Sequence, residues 1–263
     1  MNTTPLTPQE IAHIAPSVMQ MTAKPQLSDK YIHVPTSTLI NDMTALGWDV
    51  VGVQQVRSRN EEKKPYVKHL VTFRNPNLLI KSKNGDDVCP QILITNSHDG
   101  LSSFQFRAGI FRLVCSNGLV VCTEDFGAIS MRHKGYSFEK VQSVTMDFVK
   151  RMPQVIETLN KFTQVTLSEE QKIEFALSAI GIRFENGKSL VEAQDILKPT
   201  RVEDMGDDLW SVLNTIQERL IRGDFKYTPS TDRNKLRKAR PIKNFKKDIE
   251  LNEKLFNLAY QYI

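Results

Sequence analysis

The sequence predicts an α+β protein, with an antiparallel β-meander in the N-terminal half packed against a long helix, and a helical C-terminal half. Alternating or valine-rich segments, separated by polar turns, occupy residues 48–122. From residue 137 onward the apolar residues instead recur at helical spacing. The strands precede the helices, so the pattern differs from the βαβ alternation of a parallel sheet.

The composition is that of an ordinary globular protein. The chain has 263 residues, of which 40% are apolar and 25% charged, enough for one large domain or for a core domain with an appendage. It has no apolar run of membrane-spanning length and no secretory signal, so we expect no membrane partner. Three cysteines are too few for a disulfide framework, which predicts a reducing, cytoplasmic setting.

The first predicted strands come directly after a short helix. Residues 1–30, rich in Thr, Pro and Gln, are expected to form a loosely held N-terminal arm. A helix is predicted over residues 36–47, where it ends at a glycine. Strands follow at residues 48–57 and 66–74, and the polar stretch SRNEEKKP at residues 58–65 forms the hairpin loop between them.

Three more strands complete the predicted meander. They cover residues 91–95, 104–113 and 119–122. The polar turn NSHDG at residues 96–100 separates the first two, and Asn117-Gly118 suits a tight turn before the last.

The C-terminal half is predicted to be helical, beginning with a long helix over residues 137–162. A capping box at Ser168–Gln171 opens the next helix, which we expect to end at Gly181. Two more amphipathic helices are predicted, over residues 209–220 with an end at Gly223 and over residues 251–259. The expected regions are therefore an arm at 1–30, an α+β core domain at 31–165 and a helical C-terminal region at 166–263.

Three motifs, taken together, resemble a known family. They are NSHDG at residues 96–100, GIFRLVCSNGLVV at residues 109–121 and RHKG at residues 132–135. In this order they resemble the phage- and plasmid-borne proteins of "domain of unknown function 932", and Asp207–Gly223 with the basic residues after it is similar to that family's prophage members. The resemblance implies a mobile genetic element in a bacterial host cell. It brings no reaction with it, so no catalytic residues are carried over.

The net charge of +5 is unevenly distributed along the chain. Residues 219–247, the basic segment, hold eleven basic residues against two acids, a net charge of +9 that leaves −4 on the remainder. Clustered Lys and Arg attract nucleic acids, because neutralised phosphates release condensed counterions. The structural alternative is that the segment forms a solvated linker, or a latch that pairs with the chain's own acids Glu203, Asp204, Asp207 and Asp208. The candidate nucleic-acid-binding residues of this segment are Arg233, Lys235, Arg237, Lys238, Arg240 and Lys243.

Two other groups of cations are candidates for the same contact. Arg107 and Arg112 lie in an apolar strand and need a phosphate, solvent or an internal carboxylate such as Asp99 or Asp125. The polar hairpin loop is the other group, although an ordinary soluble hairpin has the same composition. Its candidate residues are Arg57, Arg59, Lys63, Lys64 and Lys68.

Histidine and cysteine suggest a weaker alternative, a metalloprotein or hydrolase centred on His98, Cys115 and His133. Imidazole and thiolate are zinc ligands, but the sequence has no CxxC or HxxxH pair. Cys115 and Cys122 lie seven residues apart across a turn, a spacing that equally suits packed thiols. Neither a P-loop nor a GxGxxG motif is present, so we predict no metal and no cofactor.

The sequence therefore favours a non-enzymatic nucleic-acid-binding protein of a mobile genetic element. A meander followed by a long helix with cationic flanks is the general layout of phage single-strand annealing proteins, an analogy at the level of fold. It predicts single-stranded DNA as the partner in recombination, Tyr66 or Tyr227 stacked on bases, and a homo-oligomeric ring or filament. The alternative is a protein–protein interaction factor, such as a host-directed inhibitor or anti-defence protein, whose basic segment meets an acidic surface.

Overall fold

The chain forms two compact units in a computed structural model, which describes residues 4–25, 27–28, 31–78, 88–112, 118–120, 129–185 and 189–263. The N-terminal unit comprises residues 1–119 and 124–152, and the C-terminal unit comprises residues 120–123 and 153–263. The boundary thus falls within the long helix, whereas the predicted boundary follows that helix, at residue 165.

The N-terminal unit contains a six-stranded sheet, which confirms the predicted α+β class. The order is β1-β2-β3-β4-β5, and β6 also pairs with β4. The β1–β2, β2–β3, β3–β4 and β4–β6 pairs are antiparallel. The strands are β1 (Asp49–Gln55), β2 (His69–Arg74), β3 (Val88–Asn96), β4 (Phe104–Arg112), β5 (Gly118–Val120) and β6 (Ile129–Met131).

The centre of this sheet is buried on both faces. All nine residues of β3 are buried, as are all six of β2. The β3–β4 register runs without interruption from Val88 opposite Arg112 to Thr95 opposite Gln105, so there is no bulge at Gly109. Burial of the apolar side chains from β2, β3 and β4 supplies the main driving force for this unit. The fully buried ones include Phe73, Ile92, Ile94, Phe104 and Phe106.

Residues near the N-terminus are more ordered than the predicted arm. Helix α1 (Pro8–Ile14) begins with a capping box between Thr7 and Glu10, and a 3-10 helix follows at Pro16–Met19. Ile11 and Val18 are buried within the unit. This region therefore packs its apolar side chains instead of leaving them loosely held.

The predicted helices of this unit are present. Helix α2 (Thr36–Ala45) has the predicted apolar face, with Leu39 and Met43 buried. Helix α3 (Phe138–Gln164) is 27 residues long and starts where the sequence predicts a long helix. None of the helices in the described residues is both long and apolar enough to cross a membrane.

The C-terminal unit is mainly helical, as predicted, and has one small sheet that the sequence analysis did not foresee. The sheet order is β7-β8-β9, with both pairs antiparallel. Its helices are α4 (Glu169–Phe184), α5 (Ala193–Leu197), α6 (Leu209–Arg222) and α7 (Phe245–Tyr260), and its strands are β7 (Ser189–Leu190), β8 (Lys226–Pro229) and β9 (Arg237–Lys238).

The ends of two helices differ in how well the sequence located them. Helix α6 ends at Arg222, with Gly223 as its C-cap, as predicted. Helix α4 has the predicted capping box at Ser168 but continues past Gly181 to Phe184, and Glu185 in the left-handed conformation caps it. The extra residues of α4 include Arg183 and Phe184.

Candidate nucleic-acid interface

The basic segment is an ordered part of the C-terminal unit. It contains the last turn of α6, the β8–β9 hairpin and the first turn of α7. In the hairpin, Tyr227 lies opposite Arg237, and Lys226 lies opposite Lys238. Directly opposed residues share one face of a hairpin, so the pairing places an aromatic ring and a guanidinium side by side.

A close backbone approach holds this segment against the end of α6. Gly223 has a φ of +78°, and a Cβ atom there would lie 2.6 Å from the carbonyl oxygen of Ala239. The Ala239 N–H donates to the Phe225 carbonyl at 2.8 Å, and the Ile242 N–H donates to the Ile221 carbonyl at 2.8 Å. Only glycine fits the first of these contacts without a shift of the backbone.

Arg183, near the end of α4, joins the basic segment to the helical layer. Its Nη2 donates to the Arg240 carbonyl at 2.6 Å. Its guanidinium lies 5.4 Å from the ring centroid of Phe184 and 5.2 Å from that of Phe225. Burial lowers the pKa of Arg183 to about 10, so the group remains charged at neutral pH. Its Nη1 atom is buried and has no hydrogen-bond partner within the described structure.

These residues line an open groove of about 890 Å³, which we call the cationic groove. The Phe184 and Tyr227 rings lie 5.2 Å apart along it. Arg237, Lys238 and Arg240 are exposed, so their charges face solvent. The groove thus combines cations with a wall of two aromatic rings. The lining residues are Arg183, Phe184, Tyr227, Arg237, Lys238, Ala239, Arg240 and Pro241.

The predicted cations of the basic segment are accessible, and most are unpaired with carboxylates. Lys238 binds Asp224 at 2.5 Å, and both side chains are more than two-thirds exposed. Exposed pairs of this kind contribute little and are easily exchanged for another anion. The remaining five are exposed and form no ion pair with any residue that the structure describes: Arg233, Lys235, Arg237, Arg240 and Lys243.

Three of the four acids of the predicted latch, Asp204, Asp207 and Asp208, are engaged elsewhere. Asp207 binds Lys172 at 2.5 Å, and Asp204 lies 3.7 Å from Arg201. Asp208 caps α6 by accepting from the Ser211 N–H. These carboxylates therefore do not neutralise the basic segment.

The other predicted cations form a separate group in the N-terminal unit. The β1–β2 connection contains a 3-10 helix, Glu61–Tyr66, in which Lys64 binds Glu61 at 2.6 Å. Arg107 is half-buried in β4, whereas the side chain of Arg112 lies outside the described part of the structure. The cations at this connection are Arg57, Arg59, Lys63 and Lys64, which are exposed, and Lys68, which is half-buried.

His98 and His133, which the metal hypothesis brings together, do lie in one cluster. It also contains His33 and His69, with ring centroids 4.8 Å and 5.1 Å from that of His98. Cys115 and Cys122 fall outside the described residues, and no group of three or more His, Cys, Asp or Glu that could hold a metal occurs among the residues described. The cluster therefore gives the zinc hypothesis no ligand set.

A directed chain of hydrogen bonds explains how two of these histidines, His69 and His133, are held. The Tyr31 hydroxyl donates to His133 Nδ1 at 2.9 Å, and His133 Nε2 donates to Asn96 Oδ1 at 2.8 Å. Asn96 Nδ2 donates to Thr36 Oγ1 at 3.0 Å, and the Thr36 hydroxyl donates in turn to His69 Nε2 at 2.8 Å. His69 Nδ1 donates in turn to the carbonyl of residue 67 at 3.1 Å. Each tautomer follows from the bond made by its other ring nitrogen.

Burial keeps these histidines neutral. It lowers the pKa of His69 and of His133 to about 4, and burial with the neighbouring histidines lowers the pKa of His98 to about 3. An imidazole with so low a pKa is a weak general base at neutral pH. The arrangement thus suits structure better than proton transfer.

Local sequence patterns do not predict that Arg183, Phe184, His33 and His69 belong to these clusters. Gly181 predicts the end of α4 too early, because a glycine costs a helix interior only about 1 kcal/mol, which packing can offset. His33 and His69 are far from His98 and His133 in sequence, and no motif links them. Their one shared signal in the sequence is position, since all five histidines of the chain lie at or before residue 133.

Fold and groove together define an α+β protein whose C-terminal unit carries an aromatic-walled cationic groove. The chain belongs to the family described as Domain of unknown function (DUF932), whose family model matches residues 26–256. The family resemblance of the three sequence motifs is thereby confirmed.

Two relatives come from Escherichia coli (strain K12). The UPF0380 proteins YfjQ and YafZ are each 30% identical to this chain over 255 residues, which is 97% of this chain and 90% of the relative. No solved structure matches the chain.

Proposed function

We propose that the protein binds nucleic acid without catalysing a reaction, and that the cationic groove contacts the phosphate backbone of single-stranded DNA. The observation that carries the proposal is that Arg237 and Arg240 are exposed in the groove, form no ion pair with any described residue, and lie beside the Phe184 and Tyr227 rings. An exposed guanidinium can form charged, bidentate hydrogen bonds to a phosphate.

The aromatic wall favours a single strand over a duplex. Tyr227 and Phe184 lie beside Arg237 and Arg240, so a base can stack while its phosphate meets a guanidinium. Paired bases inside a duplex do not offer their faces to such a wall. The exposed Arg233, Lys235 and Lys243 extend the positive surface along the same segment.

The proposal includes the setting that the family motifs imply. We place the protein in the cytoplasm of a bacterial host, as the product of a phage, prophage or plasmid that uses strand binding or annealing in recombination. Assembly into a ring or filament would repeat the groove along a strand and add multivalency. Measuring the molar mass in solution with and without a single-stranded oligonucleotide tests this assembly.

A fluorescence-anisotropy titration of the full chain tests the binding. The probes are a labelled oligothymidylate and a duplex of the same length, at low and at physiological salt. We expect salt-sensitive binding with preference for the single strand. Arg237→Ala combined with Arg240→Ala should weaken it at least about tenfold and reduce the salt slope by about 1.4, because two phosphate contacts are removed.

Lys246→Ala combined with Lys247→Ala is the matched control. Both lysines are exposed in the same basic segment but do not line the groove, so the charge change is equal. The proposal is wrong if the wild-type chain binds neither probe at low salt, or if both double variants weaken binding equally. Capture of a host protein that resists nuclease treatment, without DNA binding, would instead support the interaction factor.

A further inference from the structure

The N-terminal unit has an open depression of about 360 Å³ that the proposed function does not use. Its two walls come from two of the sequence motifs. One is the end of NSHDG with the residues that follow, and the other is RHKG. Tyr31 and Ile32 also line the depression, and all lining residues belong to the N-terminal unit.

The RHKG wall presents two positive charges to solvent. Arg132 and Lys134 are exposed, whereas His133 between them is buried and fixed to Asn96. The Tyr136 N–H donates to the His133 carbonyl at 3.1 Å, which closes the turn. Neither cation pairs with a carboxylate in the described portion of the chain. Burial of the middle residue therefore points both neighbours outward.

The opposite wall is a loop fixed by its own polar groups. Asp99 Oδ1 accepts from the Ser97 hydroxyl at 2.5 Å and from the Leu101 N–H at 3.1 Å, and the Ser97 and Ser102 hydroxyls are 2.5 Å apart. The Asp99 carboxylate is thus engaged within the loop and does not line the depression. Leu101 is 87% exposed at the rim.

Tyr31 supplies a flat surface beside the two cations. Its hydroxyl is tied to His133 Nδ1, so the ring is held in one orientation. Ile32 is 47% exposed next to it. Exposed apolar side chains around a concave site with a few polar groups are typical of ligand pockets.

A ligand that matches these walls carries an anionic group on one side and a planar apolar ring on the other. We propose that the depression binds a nucleoside phosphate, with the phosphate against Arg132 and Lys134 and the base against Tyr31 and Leu101. A free nucleotide and one nucleotide of a single strand offer the same chemistry. The inference concerns the N-terminal unit and does not depend on the cationic groove.

Two titrations of the full chain test the inference and identify the source of the ligand. Adenosine monophosphate and triphosphate are titrated by calorimetry, and a labelled hexathymidylate is titrated by anisotropy, both at low salt. We expect at least one probe to bind, and Arg132→Ala with Lys134→Ala to weaken that binding at least about tenfold through lost charged hydrogen bonds. Binding of mononucleotides indicates a free nucleotide, and binding of the oligomer alone indicates a strand.

Control variants distinguish binding at the depression from non-specific attraction of the anionic probes to positive surface charge. Lys150→Ala with Arg151→Ala removes two exposed charges of α3 from the same chain and should change affinity by less than about twofold. Tyr31→Ser should weaken binding about fivefold or more through lost stacking, and Tyr31→Phe, which keeps the ring but loses its hydrogen bond to His133, should weaken it less. Circular dichroism establishes that each variant is folded.

Three results would overturn the inference. The first is no binding of any of these probes, and the second is binding unchanged by Arg132→Ala with Lys134→Ala. The third is inorganic phosphate competing as well as the nucleotide, which would make the depression a simple anion site. If the oligomer loses binding in Arg237→Ala with Arg240→Ala but not in Arg132→Ala with Lys134→Ala, the second result applies and the proposed function remains intact.

Discussion

At the scale of single residues, Gly223 decides where the basic segment meets α6. Gly223→Ala should lower the free energy of unfolding by at least about 1–3 kcal/mol, because the residue has a φ of +78° and faces a carbonyl oxygen. Urea unfolding measures the loss. Gly52→Ala is the control, since its Cβ would only reach ordinary contact with Thr72 at 3.6 Å, and an equal loss there would contradict this explanation.

Asp248 is a half-buried carboxyl whose charge lowers stability. Burial raises its pKa to about 6, against the opposing hydrogen bond from Asn252. The folded state therefore disfavours the ionised form at pH 7, whereas the unfolded chain ionises freely above about pH 4. Asp248→Asn keeps the acceptor for Asn252 and should raise stability on the order of 1–3 kcal/mol at pH 7.

The pH dependence of that gain checks its cause. The gain from Asp248→Asn should shrink as pH falls through 6 and vanish below about pH 4, where aspartic acid is neutral in both states. Glu250→Gln, at an exposed site that pairs with Lys254, should give no gain at any pH. A gain for Asp248→Asn that is independent of pH would assign the effect to packing.

At the scale of elements, the histidine cluster predicts acid sensitivity of the N-terminal unit. Its folded-state pKa values lie below the unfolded value of 6.5, so the unfolded chain binds more protons as pH falls below 6.5. The free energy of unfolding should therefore have its full value above pH 6.5. It should decrease as the pH falls from 6.5 towards 4, by about 1.4 kcal/mol per pH unit for each histidine.

Urea unfolding of the N-terminal unit at several pH values measures this slope. Trp48 is buried in this unit and Trp210 in the other, so Trp210→Phe leaves a fluorescence signal from the N-terminal unit alone. The measurement is made in the Asp248→Asn variant, because the titration of Asp248 would change stability in the opposite direction to that of the histidines. His13 lies outside the cluster, so His13→Gln should leave the slope unchanged, and a flat profile between pH 6.5 and 4.5 would contradict the assignment.

The sequence predicted the elements better than it predicted the contacts between them. Alternation and turn residues located the strands, and Ser168 and Gly223 located helix ends, because these signals are local. The small β7-β8-β9 sheet was missed because strands of two to four residues are too short to show periodicity. Arg183 was missed for a different reason, since its role depends on contact with residue 240, which is remote in sequence.

At the scale of the whole molecule, the charge asymmetry is the feature that sequence and structure share. The basic segment carries a net charge of +9, and the structure orders it around an aromatic wall instead of pairing it with the predicted acids. Such a surface favours association with polyanions, with rates and affinities that fall as salt rises.

Photo-crosslinking to bromouracil-substituted single-stranded DNA, followed by peptide mapping, tests the central proposal most directly. Ultraviolet light joins the base to an aromatic side chain in contact with it, so the crosslinked peptide locates the strand. We expect crosslinks at Tyr227 or Phe184, reduced in Arg237→Ala with Arg240→Ala. Efficient crosslinks confined to peptides outside the cationic groove, or none at saturating DNA, would contradict the proposal.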